Sequence, residues 1–140
     1  MGLMLDTCIF IEAEKTQNAI DFDQWELYGD ACMSVITVSE LLMGVYLADT
    51  KARKIKRSAF VEAIIHHVPV IDFTIEVARL HAELYAFLAS KGKLIGAHDM
   101  LIAATALAHG HAILTANHRE FTRVPGLKVV HYLKKERVKI

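Results

Sequence analysis

Short apolar runs alternate with longer amphipathic segments along this chain, and the alternation predicts its secondary structure. The short runs predict five strands, at residues 3–6, 31–35, 68–71, 112–115 and 128–131. Segments with apolar residues at helical spacing predict helices between them. Strands that alternate with helices are typical of a parallel sheet covered on both faces. We therefore predict a three-layer α/β/α sandwich with a mainly parallel central sheet of about five strands.

Residues that favour helix ends bound the predicted helices. These helices cover residues 9–14, 19–28, 37–48, 51–66, 74–90 and 98–109. Asn18 is the predicted N-cap of the second helix, and Thr37-Val-Ser39-Glu40 is a predicted capping box for the third. In the fifth helix, apolar side chains at helical spacing predict one buried face, made of Val77, Leu80, Leu84, Phe87 and Leu88. Pro69 predicts that the third strand lies at an edge of the sheet.

Composition limits the class of protein. The chain has 140 residues, of which 54% are hydrophobic and 23% charged, so residues 1–140 are predicted to form a single globular domain. The apolar stretches are far shorter than the ~20 residues that a membrane helix needs, and the segment before Asp6 lacks the basic region of a signal peptide. Cys8 and Cys32 form no CxxC pair and are predicted to be reduced thiols. Together these features predict a cytoplasmic protein.

Charge is divided unevenly along the chain, although the formal net charge is zero. The first fifty residues contain nine acidic residues and one basic residue, whereas the remainder contains seven and fifteen. The basic residues gather in two clusters: residues 51–57, with Lys51, Arg53 and Lys54, and residues 134–139. Such clusters attract a polyanion. A solvated helix face and a terminal tail are the plainer interpretation.

Side chains with carboxylate or amide oxygens follow three of the predicted strands. Asp6 ends the first strand, Glu40 follows the second, and Asn117 and Glu120 follow the fourth. Asp99 opens a helix that is apolar nearly all round, which is typical of a buried helix. Since ligands bind at the carboxyl ends of parallel strands, we expect these side chains to converge on one site.

Most of these residues also have a structural interpretation. Asp6 can cap the following helix, Glu40 belongs to the capping box, and Asn117 can cap a short turn. Asp99 is harder to explain in this way, because a helix dipole stabilises an exposed acid by only about 0.3–1 kcal/mol. An uncompensated buried charge costs several kcal/mol. A bound cation is the simplest compensation.

A cluster of carboxylates indicates a particular class of metal and reaction. Three carboxylates within a few ångströms cannot all stay ionised without a cation. Hard oxygen ligands favour Mg²⁺ or Mn²⁺ over zinc. Such a site suits hydrolysis of a phosphodiester, with a water activated by the metal. The motifs GxxxxGK[ST], GxGxxG, GxSxG and HExxH do not occur in the sequence, so nucleotide-binding loops, serine hydrolases and zinc proteases are not supported.

Four segments in this order resemble a known family. They are Leu5-Asp6-Thr7-Cys8, Thr37-Val-Ser39-Glu40-Leu41, Ile95-Gly-Ala-His-Asp99-Met-Leu-Ile-Ala103-Ala104 and Leu114-Thr115-Ala-Asn117-His-Arg119-Glu120-Phe121. The chain resembles the PIN-domain ribonucleases, specifically the VapC-type toxins of bacterial toxin–antitoxin pairs. The resemblance spans nearly the whole chain and implies a PIN-like fold.

The resemblance also implies a role for each matching residue. Asp6, Glu40 and Asp99 would be the acidic ligands of Mg²⁺ or Mn²⁺. Many relatives have an aspartate at the place of Asn117, so either the amide oxygen of Asn117 or the carboxylate of Glu120 would complete the site. Thr7 and Thr115 would orient carboxylates or phosphate, and Arg119 would contact the RNA backbone.

The activity implied is metal-dependent cleavage of structured RNA, such as tRNA or rRNA. Attack of metal-activated water would leave a 5′-phosphate and a 3′-hydroxyl, and the basic clusters would hold the RNA. The resemblance further implies an inhibitory antitoxin protein and a homodimer. A receiver-like signalling module with Asp72 as phosphoacceptor is the alternative, although Thr7 stands where a second acid would be needed. A haloacid-dehalogenase-like phosphatase would need an aspartate at the place of Cys8.

Overall fold

The computed structural model describes residues 1–17 and 20–133, and its centre is a five-stranded sheet. The strands are β1 (Gly2–Leu5), β2 (Asp30–Ser34), β3 (Val70–Ile71), β4 (Ala112–Thr115) and β5 (Val129–His131). Their order is β3-β2-β1-β4-β5, and every neighbouring pair is parallel. The predicted parallel sheet is confirmed, and β3 lies at the edge that Pro69 indicated.

Helices connect the strands and cover both faces of the sheet. The α-helices are α1 (Thr7–Thr16), α2 (Val35–Tyr46), α3 (Lys51–His67), α4 (Ile75–Ser90), α5 (Ala97–Ala108) and α6 (His118–Phe121), and a 3₁₀ helix covers Asp23–Tyr28. None of the helices within the described ranges is long and apolar enough to cross a membrane.

Alternating side chains of the strands divide the core into two layers. Leu3 and Leu5 of β1 pack with apolar residues of α1, α2 and α3, whereas Met4 faces the opposite layer with α4 and α5. This alternation is expected of a strand whose two faces are both covered. The predicted three-layer α/β/α sandwich is confirmed, and all strands present their carboxyl ends at one edge of the sheet.

Three predictions about the elements are wrong in detail. The helix α2 begins at Val35 with Ser34 as its N-cap, because the Ser34 side chain accepts from the backbone N–H of Ile36 at 3.0 Å. Thr37 and Glu40 therefore lie inside the helix and form no capping box. Phe87 is 46% exposed, so the buried face of α4 consists chiefly of other apolar residues in the predicted set.

The segment before β2 also differs from its prediction. A 3₁₀ helix occupies Asp23–Tyr28 instead of an α-helix from residue 19. The predicted cap Asn18 and the basic residues 134–139 lie outside the described residues. Residues 118–121 form the short helix α6, at the place of the short turn that Asn117 could cap.

The central position of β4 predicts a large cost for truncating its core side chains. Leu114 is fully buried between β1 and β5, and Leu114→Ala should lower the free energy of unfolding by about 2–5 kcal/mol. Leu27→Ala is the matched control, since Leu27 is 92% exposed and its truncation should change stability by less than about 0.5 kcal/mol. Urea denaturation measures both values. Equal effects of the two variants would contradict the assignment of this core.

Candidate active site

Asp6 lies where β1 ends and α1 begins, and three donors hold its carboxylate. Asp6 is the N-cap of α1, and its Oδ1 accepts from the backbone N–H of Thr7 at 2.8 Å. Its Oδ2 accepts from the Thr115 hydroxyl at 2.7 Å and from the Cys8 thiol at 3.3 Å. Asp6 is only 5% exposed, so the predicted capping role is real and coexists with a carboxylate fixed at the edge of the sheet.

Opposing influences act on the pKa of Asp6. Burial raises this pKa most strongly, the bonds from Thr115, Cys8 and Thr7 lower it, and the negative charge of Glu40 raises it further. Burial, together with the charge of Asp6, also raises the pKa of the Cys8 thiol to about 11. The thiol therefore stays protonated near neutral pH and can donate to Asp6.

Glu40 is connected to Asp6 through the neighbouring Thr7. The Thr7 hydroxyl donates to Oε1 of Glu40 at 2.8 Å and lies 3.1 Å from the hydroxyl of Thr37. Since a hydroxyl has one proton, the donor in the second bond is Thr37. Nδ1 of His98 lies 3.5 Å from the other carboxylate oxygen of Glu40. These contacts orient Glu40 from α1, α2 and α5 together.

Asp99 faces the same region from the first turn of α5. Its half-buried carboxylate has no hydrogen-bond donor among the described residues. Burial raises its pKa to about 6, and the negative charges of Asp6, Glu120 and Glu40 add to this rise. Among the described residues, only His98 acts in the opposite direction. Like charges thus surround Asp99.

The loop after β4 brings Thr115, Asn117 and Glu120 to this region. Thr115 is fully buried, and its hydroxyl accepts from the backbone N–H of Asn117 at 2.8 Å while it donates to Asp6. The Asn117 side chain makes no capping bond to α6. Of the two residues that could complete the acidic site, Glu120 is the one whose charge acts on Asp99.

The basic residues predicted to bind substrate are exposed and form no ion pair with these carboxylates. Lys51, Arg53 and Lys54 are exposed in the first turn of α3, and Arg53 donates to Asp49 at 2.8 Å. Arg119 is exposed on α6. The structure records no contact between these four side chains and Asp6, Glu40 or Asp99.

Sequence reasoning missed three residues of this region. Cys8 donates to Asp6 and accepts from the backbone N–H of Ala116 at 3.5 Å, Thr37 supports Thr7, and His98 faces Glu40. The sequence indicated their importance only by placing them in the four segments that resemble the family. The residue type of Cys8 predicted no more than a reduced thiol. Both cysteines are indeed free.

The donor set fits a hard divalent cation. An open cavity of about 400 Å³ is lined by Glu40, Asp99 and the intervening Gly96–His98 segment. Within the described ranges, no group of three or more His, Cys, Asp or Glu side chains is arranged so that it could hold a metal ion by itself. Mg²⁺ usually binds one or two carboxylates and completes its coordination with water and phosphate oxygens. An open group of mutually repelling carboxylates therefore suits this ion better than it suits zinc.

The receiver-like alternative does not agree with the topology. Receiver modules place the third strand beside the first, in the order 2-1-3-4-5. Here β2 separates β3 from β1, so Asp72, which follows β3, is not the neighbour of Asp6. Asp72 is also exposed.

Comparison with known proteins identifies one family and relatives that match nearly the whole chain. The family model for the PIN domain matches residues 3–127. Ribonuclease VapC1 of Rickettsia felis is 39% identical over 130 residues, which cover 93% of this chain and 96% of that protein. The tRNA(fMet)-specific endonuclease VapC of Shigella flexneri is 33% identical over 129 residues, covering 91% and 96%.

Solved structures show the same architecture. The structure of VapBC2 from Rickettsia felis, bound to a DNA fragment from the promoter, matches with a TM-score of 0.83 and 28% identity over 94% of this chain and 99% of that chain. DNA-bound VapBC from Salmonella typhimurium matches with a TM-score of 0.83 and 30% identity over 94% and 98%.

The raised pKa of Asp99 predicts how stability depends on pH. Folding raises this pKa from 3.8 to about 6, so the folded state binds a proton more tightly than the unfolded state. Its contribution to stability is therefore present below about pH 4 and is lost as the pH rises through about 6. With divalent cations removed, Asp99→Asn should stabilise the protein at neutral pH and have little effect at pH 4.

Thermal unfolding over this pH range measures the effect. Asp72→Asn removes an exposed carboxylate and serves as the control, with little change expected at either pH. If Asp99→Asn destabilised the protein equally at both pH values, Asp99 would not be held against neighbouring negative charges.

Proposed function

The chain belongs to the PIN domain family as a VapC-type ribonuclease, and we propose that it is an Mg²⁺- or Mn²⁺-dependent endoribonuclease toxin that cleaves structured RNA. The membership confirms the family resemblance of the four sequence segments. The metal dependence and the class of RNA are the proposed part. Free cysteines and an RNA substrate favour the cytoplasm as the place of action.

The observation that carries the proposal is the mutual repulsion at Asp99. Burial and the charges of Asp6, Glu40 and Glu120 raise the pKa of Asp99 to about 6, and no donor among the described residues satisfies its carboxylate. When bound, a divalent cation would offset this repulsion, lower the pKa of an attacking water and stabilise the leaving oxygen. Asp6, Glu40 and Asp99 are the residues proposed to hold it.

The chain's own residues keep the site ready for substrate. Thr115 and Thr7 fix Asp6 and Glu40 through bonds of 2.7 and 2.8 Å, so little reorganisation is needed when RNA binds. The charge of Glu120 acts on Asp99. We propose that the Glu120 carboxylate supplies the negative charge that the neutral amide of Asn117 lacks. Arg119, exposed on the same loop, is proposed to contact an RNA phosphate.

The class of RNA is inferred from the relatives. The Shigella flexneri protein, 33% identical, is a tRNA(fMet)-specific endonuclease, which favours tRNA as the first substrate to test. In-line attack of water on phosphorus would break the bond to the 3′-oxygen, leaving a 5′-phosphate and a 3′-hydroxyl. Cleavage through the ribose 2′-hydroxyl would instead leave a cyclic phosphate.

The direct test incubates the purified protein with bulk tRNA in Mg²⁺, in Mn²⁺ or with chelator. We expect discrete fragments only when a divalent cation is present, and a loss of at least about 100-fold in rate for Asp6→Asn and Asp99→Asn, since each removes a charge that acts in the transition state. Asp72→Asn, altered at an exposed carboxylate, should cleave normally. Fragments that survive chelation or both substitutions would contradict the proposal.

The cluster at the start of α3 is proposed to hold a part of the RNA remote from the cleaved bond. Lys51, Arg53 and Lys54 are exposed there, and counterion release makes such contacts sensitive to salt. Lys51→Gln with Lys54→Gln should make the slope of log Kd against log salt shallower by roughly 0.7–0.9 for each lost contact. Lys128→Gln is the control, because Lys128 precedes β5 at the opposite edge of the sheet. An unchanged slope would remove the cluster from the RNA interface.

A protein partner is proposed as well. The matching structures from Rickettsia felis and Salmonella typhimurium are VapBC assemblies, and we propose a cognate antitoxin for this chain. Exposed apolar side chains at the end of α2, Tyr46 at 77% and the following Leu47 at 79%, support binding of a protein there. The homodimer implied by the family resemblance remains part of the proposal.

A further inference from the structure

Two histidines stack on each other near the carboxyl ends of β4 and β5. His118 begins α6 and His131 ends β5. Their ring centroids are 4.8 Å apart and the ring planes differ by 23°. His118 is half-buried and His131 is exposed. Neither ring makes a hydrogen bond to the described part of the chain, so packing of the core and hydrogen bonding do not explain the pair.

The register of the sheet places this pair next to the site. His131 is the Cα partner of Thr115 across β4 and β5, one strand spacing of about 4.8 Å away. Thr115 in turn donates to Asp6 at 2.7 Å. His118 follows Asn117 directly in the chain.

The two histidines also lie on the same face of the sheet as the acidic site. Ile113 and Val129 pack in the core layer that contains α5. Side chains two residues further along a strand point to the same face, so Thr115 and His131 face the α5 side, where Asp99 begins the helix. The stacked rings therefore form a flat, partly exposed surface on the β5 side of Thr115.

We propose that the stacked pair His118–His131 is a platform on which an unpaired base of the RNA stacks, beside the cleaved bond. This inference rests on the proposed ribonuclease function. Proteins that recognise single-stranded RNA stack bases on aromatic side chains, histidine included, and stacking tolerates any base because every base has a π-face. The platform would direct cleavage to RNA with unpaired nucleotides next to the scissile phosphate, and paired RNA would not engage it.

The test compares two fluorescein-labelled RNAs of equal length, a hairpin with an unpaired loop and a fully paired duplex. Binding is measured by fluorescence anisotropy in the Asp99→Asn protein, so that the RNA stays intact. We expect His131→Ala and His118→Ala each to weaken hairpin binding by roughly fivefold or more and to leave duplex binding unchanged. His131→Phe, which keeps a ring without its nitrogens, should restore hairpin binding. His66→Ala is the control, since His66 lies in the last turn of α3 and contacts His67.

Cleavage kinetics separate a platform from a structural role. In the otherwise wild-type protein, His131→Ala should raise KM for the hairpin and leave kcat unchanged. The platform is wrong if the hairpin binds no more tightly than the duplex, if both alanine variants bind it normally, or if His131→Phe fails as His131→Ala does. Failure of the ribonuclease proposal is distinct, because the parent protein would then cleave no RNA with any divalent cation.

Discussion

Mutual repulsion of carboxylates at the carboxyl ends of the strands is the constraint on which this structure depends. Asp6, Glu40 and Glu120 all raise the pKa of Asp99, and burial makes each charge more expensive. Neutral donors keep the group in place: Thr115 and Cys8 bind Asp6, and Thr7 binds Glu40. A protein cation in the same place would remove the charge that a divalent ion requires.

The fold brings distant segments of the chain together at the carboxyl ends of the strands. The order β3-β2-β1-β4-β5 sets β1 between β2 and β4, so residues that follow the three central strands meet although more than a hundred positions separate Asp6 from Thr115. Buried layers pack against both faces of the sheet beneath this arrangement. The repulsion lowers stability at this site, as is common where enzymes place functional groups.

Much of this could be predicted from the sequence, because the signals involved are local. Short apolar runs, apolar residues at helical spacing and the edge-favouring Pro69 predicted the sheet and most helices. The capping box predicted at Thr37–Glu40 was wrong because Ser34, the residue directly before the helix, is its N-cap. The sequence pattern of a capping box is the same whether or not its glutamate bonds back to the start of the helix. Phe87 fits the helical spacing of buried residues, yet it is 46% exposed. The roles of Cys8 and His98 depend on contacts across elements, which spacing along one chain does not encode.

Direct titration of the protein with Mn²⁺ in the absence of RNA tests the central claim, that repelling carboxylates form a cation site. Calorimetry should show saturable binding that Asp6→Asn and Asp99→Asn each weaken by at least about tenfold, the loss expected when a charged ligand becomes an amide. Protonation of the carboxylates should weaken the binding further as the pH falls below about 6. Equal Mn²⁺ affinity in the parent protein and both variants would contradict the account.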